Sequence, residues 1–173
     1  MFERFTEPAR RVVKLAVAES QEAGDALVDE EHLVYALFGE PDGEAARLCG
    51  GEVTLARIKA AFRTARRRGG MSDADAAALA GLGIDVDEVV AGFQAGLPPE
   101  ALDGPRKPPG RHRPFSKHAK RALSLALQEV VSRRERALGE RDLLLGLLRN
   151  QALAAGVLEG LGVRYDDVRA RLS

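Results

Sequence analysis

The chain is short of the residues that usually announce chemistry. It has one cysteine, Cys49, in 173 residues, so no internal disulfide can form and no second thiol completes a metal knuckle; a reducing, cytoplasmic setting fits. Its 26 basic side chains cancel its 26 acidic ones, which removes the long-range field that draws proteins to nucleic acid or to an anionic membrane and leaves recognition to local features. No run approaches the ~18 apolar residues of a membrane span. Met1 to Arg11 alternates charged and apolar side chains where a secretory leader would carry an apolar core. A GxxxxGK(S/T) phosphate loop, a GxSxG elbow and an HExxH pair are all missing, so nucleotide hydrolysis is excluded and no catalytic residue, cofactor or metal is expected.

What the chain does contain is an internal repeat. Phe5-Thr6 followed by Ala9-Arg10-Arg11 returns as Phe115-Ser116 followed by Ala119-Lys120-Arg121, a shift of 110 positions. The register then pairs Leu15 with Leu125, Glu19 with Glu129, Glu30 with Glu140, Leu33 with Leu143 and Leu37 with Leu147. A duplicated unit of roughly sixty residues explains this better than chance, and units of that size are helical-repeat elements.

Each copy predicts four helices and no strand. A hydroxyl, Thr6 or Ser116, stands directly after a phenylalanine as a helix N-cap, and Pro8 falls in the first turn, where a missing N–H is harmless. Ala9, Val12, Val13, Ala16 and Val17 form one apolar face, repeated by Ala119, Ala122, Leu123, Ala126 and Leu127. Second helices are expected from about Glu30 to Phe38 and Glu140 to Leu148, with acids at their starts to suit the dipole. Shorter helices follow near Glu44 to Cys49 and Leu55 to Ala65, and near Leu153 to Glu159 and Tyr165 to Leu172. The expected organisation is a first repeat over 1–66, a helical insertion over 67–96, an extended linker over 97–114 and a second repeat over 115–173, the two repeats packing as one all-α domain. Within the insertion, LAGLGIDVDEV (Leu79 to Val89) resembles LEGLGVRYDDV (Leu158 to Val168), a spare copy of the unit's tail. The stretch LPPEALDGPRKPPGRHRP after it is too rich in proline and charge to bury and reads as a tether.

Few side chains invite a chemical role. His32, His112 and His118 stand at no metal-ligand spacing, and Glu30-Glu31 is explained by the helix dipole. The basic stretches, Arg63 with Arg66-Arg67-Arg68 and Arg106 to Arg113, lack interleaved aromatics and read as a solvated helix end and linker. Phe5 reads as a hydrophobic staple, whereas Phe2 either plugs a groove or stays exposed.

The opening MFERFTEPARRVV, with its second start PFSKHAKRALSLAL, resembles the amino-terminal double-repeat domain of Clp-type AAA+ unfoldases, in the ClpC-like branch. The resemblance covers both copies and not residues 67–110. It implies an all-helical, pseudo-two-fold domain that receives substrates, degrons or adaptors for an ATP-driven unfoldase and its peptidase, here without the ATPase modules. In that family a consensus resembling IGTEHILLGL opens each second helix, and its Glu helps some members hold phosphorylated arginine. Here the two versions read VDEEHLVYAL and LGERDLLLGL, so Glu31 keeps the carboxylate while Arg141 replaces the other with a cation that cannot accept a guanidinium's hydrogen bonds. The resemblance also implies a groove between the repeats, used in actinobacterial members by antibiotic cyclic peptides, with contacts falling on Phe2, Arg10, Val13, Phe115 and Lys120. The function expected is non-catalytic capture of peptides, degrons or adaptors for a Clp unfoldase. Its rivals are a protein that sequesters or senses cyclic-peptide antibiotics and a nucleic-acid-binding regulator acting through the basic linker.

Overall fold

Both long helices start on a hydroxyl. Thr6 Oγ1 accepts the Ala9 N–H at 3.3 Å and Ser116 Oγ accepts the Ala119 N–H at 3.0 Å, each satisfying one of the donors that a helix start leaves orphaned. A computed structural model describes residues 2–71, 73–94 and 112–172, with the backbone alone at Phe2, Phe93 and Gln94. Among these, a short 3-10 turn, Phe2–Arg4, precedes α1 (Glu7–Glu22), α2 (Glu30–Phe38), α3 (Glu44–Leu48) and α4 (Leu55–Arg67). Then come α5 (Asp73–Gly81) and α6 (Val86–Gln94), followed by α7 (Lys117–Ser132), α8 (Glu140–Arg149), α9 (Leu153–Gly160) and α10 (Tyr165–Ala170). The architecture is all-α, with α1–α4 and α7–α10 as two equivalent four-helix units.

The equivalence extends to detail. α1 buries Ala9, Val12, Val13, Ala16 and Ser20, and α7 buries Ala119, Ala122, Leu123, Ala126, Glu129 and Val130. Both helices close with a left-handed residue, Gly24 (φ 73°) or Arg134 (φ 57°). The next N–H then turns back, from Asp25 to the Ser20 carbonyl at 2.9 Å and from Glu135 to the Val130 carbonyl at 3.0 Å. α2 and α8 are apolar around most of their circumference and form the centres of their units. The buried side chains of both units join in one continuous core.

The two units are crossed rather than stacked. The segment leading into α1 pairs with the residue before α8: the Leu138 N–H donates to the Arg4 carbonyl at 2.7 Å and the Thr6 N–H to the Leu138 carbonyl at 2.9 Å. The segment leading into α7 treats the first unit in the same way. The Val28 N–H donates to the Pro114 carbonyl and the Ser116 N–H to the Val28 carbonyl, both at 2.9 Å. These are two short parallel bridges, Phe5 with Leu138 and Val28 with Phe115, related by the 110-residue shift.

Carboxylates reinforce the crossing. Glu140 Oε2 accepts the Glu44 N–H at the start of α3 at 2.9 Å, and Glu30 accepts the Ala154 N–H in the first turn of α9. The expectation that Glu30 merely suits its own helix dipole is thus corrected, because the side chain is buried against the opposite unit.

Residues 95–111, most of the expected linker, lie outside the described residues. Beyond them Arg113 is buried and Pro114 supplies a crossing carbonyl, so the end of that stretch belongs to the packed body. The inserted helices α5 and α6 are attached lightly. No α5 residue is buried, and Arg68 fixes the pair by bonding Asp73 at 2.5 Å and Asp87 at 2.7 and 2.9 Å.

Gly146 of α8 lies against the backbone of α7. A Cβ there would meet the Ala122 carbonyl and lie 2.6 Å from Ala126 N, so backbone rather than a flexible side chain would have to yield. The equivalent position in the first unit is already Ala36. Gly146→Ala is expected to destabilise the protein by about 1–3 kcal/mol, as overpacking does, despite alanine's better helix propensity; the urea unfolding midpoint measures it, and an unchanged midpoint would show that the helices can separate freely.

Candidate functional site

The residues named for a groove sit on equivalent turns of the two units. Arg10 is exposed in the first turns of α1, 3.8 Å from Glu7, and Lys120 is exposed at the matching position of α7. Val13 is buried at 8% exposure. Phe115 is half-buried against the core, and its backbone forms the bridge to Val28. Phe2 lies in the opening 3-10 turn, and its side chain is outside the described residues. Phe5, the counterpart of Phe115, is only 5% exposed, so the two leading phenylalanines are unequal in burial.

Glu31, the other candidate, is already engaged. It is 9% exposed and accepts a hydrogen bond from Arg66 Nη2 of α4. His32 lies beside it and closes the cap of α2: its Nδ1 accepts the Asp29 N–H at 2.9 Å, so the neutral ring carries its proton on Nε2, which faces Asp25 Oδ2 at 3.0 Å. Asp25, Glu31 and His32 thereby bring one ligand atom each within 4.8 Å of one another, a convergence that their sequence spacing does not reveal. The tautomer argues against a cation there. A metal needs the Nε2 lone pair, and moving the proton to Nδ1 would set it against the Asp29 N–H. The Arg66 guanidinium already balances Glu31.

The second unit keeps the cap and changes the charges. Asp142, fully buried, stands in the place of His32: its Oδ2 accepts the Gly139 N–H at 2.7 Å and its Oδ1 accepts from Arg133. Burial pushes its carboxyl above the ordinary value in spite of these donors. Arg141, in the place of Glu31, pairs with Glu135 at 2.8 Å, and Glu135 is held below the usual carboxylate range chiefly by Arg133. Arg141 also lines a cavity of about 550 Å³ between the units, together with Thr6, Arg11, Asp42, Arg47 and Glu140. Its walls carry charged side chains of both signs, and none of the five groove residues lines it.

Residues 114–173 match the sequence profile described as the Clp repeat (R) N-terminal domain. The whole chain aligns with longer chaperones. It is 30% identical to "Chaperone protein ClpC1, chloroplastic" of Oryza sativa subsp. japonica, over 99% of this chain and 15% of that one. It is 30% identical to "ATP-dependent Clp protease ATP-binding subunit ClpA homolog" of Porphyra purpurea, over 99% and 17%. The second repeat, residues 114–173, thus belongs to the Clp repeat N-terminal domain family. The structure is similar to the N-terminal domain of ClpD from Arabidopsis thaliana, with a TM-score of 0.64 at 21% identity over 99% of this chain and 96% of that one. It shares its fold with the Hsp104 N-terminal domain of Candida albicans as well, with a TM-score of 0.56 at 15% identity over 98% and 89%. The chain spans about 15% of the length of the first of these curated relatives. Among the described residues no helix is long and apolar enough to cross a membrane. The Clp repeat is a binding module.

Sequence reasoning missed Arg66 as the partner of Glu31, and it missed the inter-unit task of Glu30 and Glu140. Their identity under the 110-residue shift was the available signal, since a surface acid has little reason to recur in register.

Glu30 yields a pH prediction. Burial raises its pKa above the ordinary 4.5, although Asn150 and the Ala154 N–H favour the charged form. Asn150 donates to Glu30 and, at 2.9 Å, to the His118 carbonyl. The stability contributed by this raised group is fully present below about pH 4.5 and is lost as the pH rises through the folded-state value. Glu30→Gln removes the buried charge at nearly constant shape and keeps a carbonyl oxygen as an acceptor. It should match the parent in acid and exceed it at neutral pH, with a flatter stability profile; a parallel profile in urea titrations across that range would overturn the assignment.

Proposed function

We propose that this Clp repeat pair captures peptides, degrons or adaptors for a Clp unfoldase, and that the ligand lies between the leading turns of α1 and α7. The observation that supports the reading is the inequality of the two leading phenylalanines. Phe5 is spent on the core, whereas Phe115 is only half-buried and stands five residues before the exposed Lys120. An aromatic face beside a cation suits an apolar, carbonyl-rich ligand: the ring offers contact area at low entropy cost, and the ammonium donates to peptide carbonyls. Arg10, Val13 and Phe2 complete the proposed site from the first unit. Because its parts come from both units, the site exists only while they are docked. The domain itself supplies no ATPase or peptidase residue in this reading. Its half-buried thiol, Cys49, is pushed up to about 11 by burial and stays protonated at neutral pH.

Hydrophobic cyclic peptides fit the same description, and they serve as the probe. Truncating a central aromatic anchor commonly costs about 2 kcal/mol, roughly thirtyfold in affinity. Phe115→Ala and Phe2→Ala should each weaken a hydrophobic cyclic peptide by at least that factor in calorimetric titration, and Lys120→Ala by less, with the helical circular dichroism unchanged. If the double phenylalanine variant binds as tightly as the parent, the site is elsewhere.

Phosphoarginine recognition, where present, belongs to Glu31 alone, since Arg141 repels a guanidinium. It must also displace Arg66, the internal guanidinium already bound to that carboxylate. Arg66→Ala should therefore strengthen phosphoarginine binding and Glu31→Ala abolish it, at no more than one site per chain. Two equivalent sites, or binding indifferent to both substitutions, would show that the pocket has been misassigned.

A further inference from the structure

The inserted helices α5 and α6 copy the end of the second unit. Leu79, Gly83, Ile84 and Val89 correspond in sequence to Leu158, Gly162, Val163 and Val168, a shift of 79, and the backbone follows the same path. Gly83 and Gly162 both take a left-handed conformation, φ 82° and 87°. The Ile84 N–H reaches the Leu79 carbonyl at 3.0 Å, as the Val163 N–H reaches the Leu158 carbonyl at 2.9 Å. The hairpin is therefore a second α9–α10.

The two hairpins differ in what covers them. α9 and α10 pack on α8, which leaves Leu158, Val163 and Val168 at 0%, 4% and 2% exposure. α5 packs against α9 and Val86 of α6 is buried, but among the described residues no helix covers Ile84 and Val89 as α8 covers the second hairpin. Ile84 and Val89 are 44% and 49% exposed, and Leu82, between the two helices, is 77% exposed. A side-chain pattern that buries a helix in one hairpin stands open in the other, and an apolar group of this kind on a surface marks an interaction site.

Charge narrows the occupant. Residues 73–94 contain five acids, Asp73, Asp75, Asp85, Asp87 and Glu88, and no lysine or arginine. Two copies of this face would set acids against acids, whereas Arg68 binds two of them at once. We infer that the α5–α6 hairpin is a docking surface for a basic amphipathic helix of a partner protein, whose apolar stripe covers Ile84 and Val89, as their counterparts Val163 and Val168 are covered, together with the exposed Leu82. This reading is independent of the groove between α1 and α7.

The probes are two fluorescent helical peptides with the same leucine stripe at i, i+3, i+4 and i+7, one carrying lysines on its other faces and one glutamates. The lysine peptide should bind the full chain saturably in anisotropy titrations, and the glutamate peptide should not. The Leu82→Ala, Ile84→Ala, Val89→Ala triple variant changes no charge and truncates exposed side chains, so it should fold like the parent yet lose at least about tenfold in affinity. Phe115→Ala should leave this binding unchanged. The inference is overturned if the lysine peptide does not bind, if the triple variant binds it equally well, if the glutamate peptide competes, or if Phe115→Ala weakens it. Light scattering supplies one more decisive outcome: a dimer of the parent that the triple variant dissolves would make a second copy of the chain the occupant.

Discussion

Everything in this domain depends on an exchange of backbone hydrogen bonds between its halves. Val28 and Leu138 are fully buried, and each would have an orphaned N–H and carbonyl without the strand-like segment that the other unit lends it. A hydrogen bond adds only about 0.5–1.5 kcal/mol net when made, but a buried polar group left unpaired costs about 1–3 kcal/mol. The crossing therefore acts less as glue than as a condition. Either half alone presents polar groups that water must reach, and the apolar helices α2 and α8 cannot be sealed until the segments trade places. Glu30 and Glu140 extend the same logic to the starts of α9 and α3, where a carboxylate from the opposite unit serves as an external cap.

Within that constraint the halves have drifted apart chemically while remaining alike in form. The same helix cap is closed by the imidazole of His32 in one unit and by the carboxylate of Asp142 in the other. Glu19 makes one ion pair with Lys59 at 3.5 Å, whereas its counterpart Glu129, 1% exposed, gathers Arg149, Arg169 and the Tyr165 hydroxyl. A buried carboxylate with several charge-assisted donors tolerates its desolvation, which a single lysine at the surface would not achieve. The second unit thus carries the stiffer polar network. The first relies on the single Arg66–Glu31 pair.

The helices were legible because helix formation is encoded locally. Caps at Thr6 and Ser116, apolar faces at period 3.6 and a repeat in register with itself place each helix to within a few residues, and the resemblance of the two openings supplied the fold. The crossing was not legible. It runs through main-chain atoms, which every residue possesses, so Val28 and Leu138 look like any other apolar residues in the sequence. The candidate site was readable only as far as identities go. Glu31 and Arg141 could be compared in the two motifs, but the guanidinium that meets Glu31 comes from α4, 35 residues away, and no pattern of spacing predicts that encounter. Nor does composition tell a buried leading phenylalanine from a half-buried one.

The symmetry of the crossing has an ancestry in it. Two separate single-unit chains could have made the same exchange, each lending its leading segment to the other across a two-fold axis, as in an isologous dimer. Fusing such a pair requires only a connector from the end of α4 to Pro114, and neither bridge involves any residue of that connector short of Pro114 itself. Its length is then nearly free of consequence, since doubling a flexible loop costs only about 0.6 kcal/mol. The joint between ancestral subunits is thus the natural place for new sequence to accumulate, and α5 and α6 occupy it.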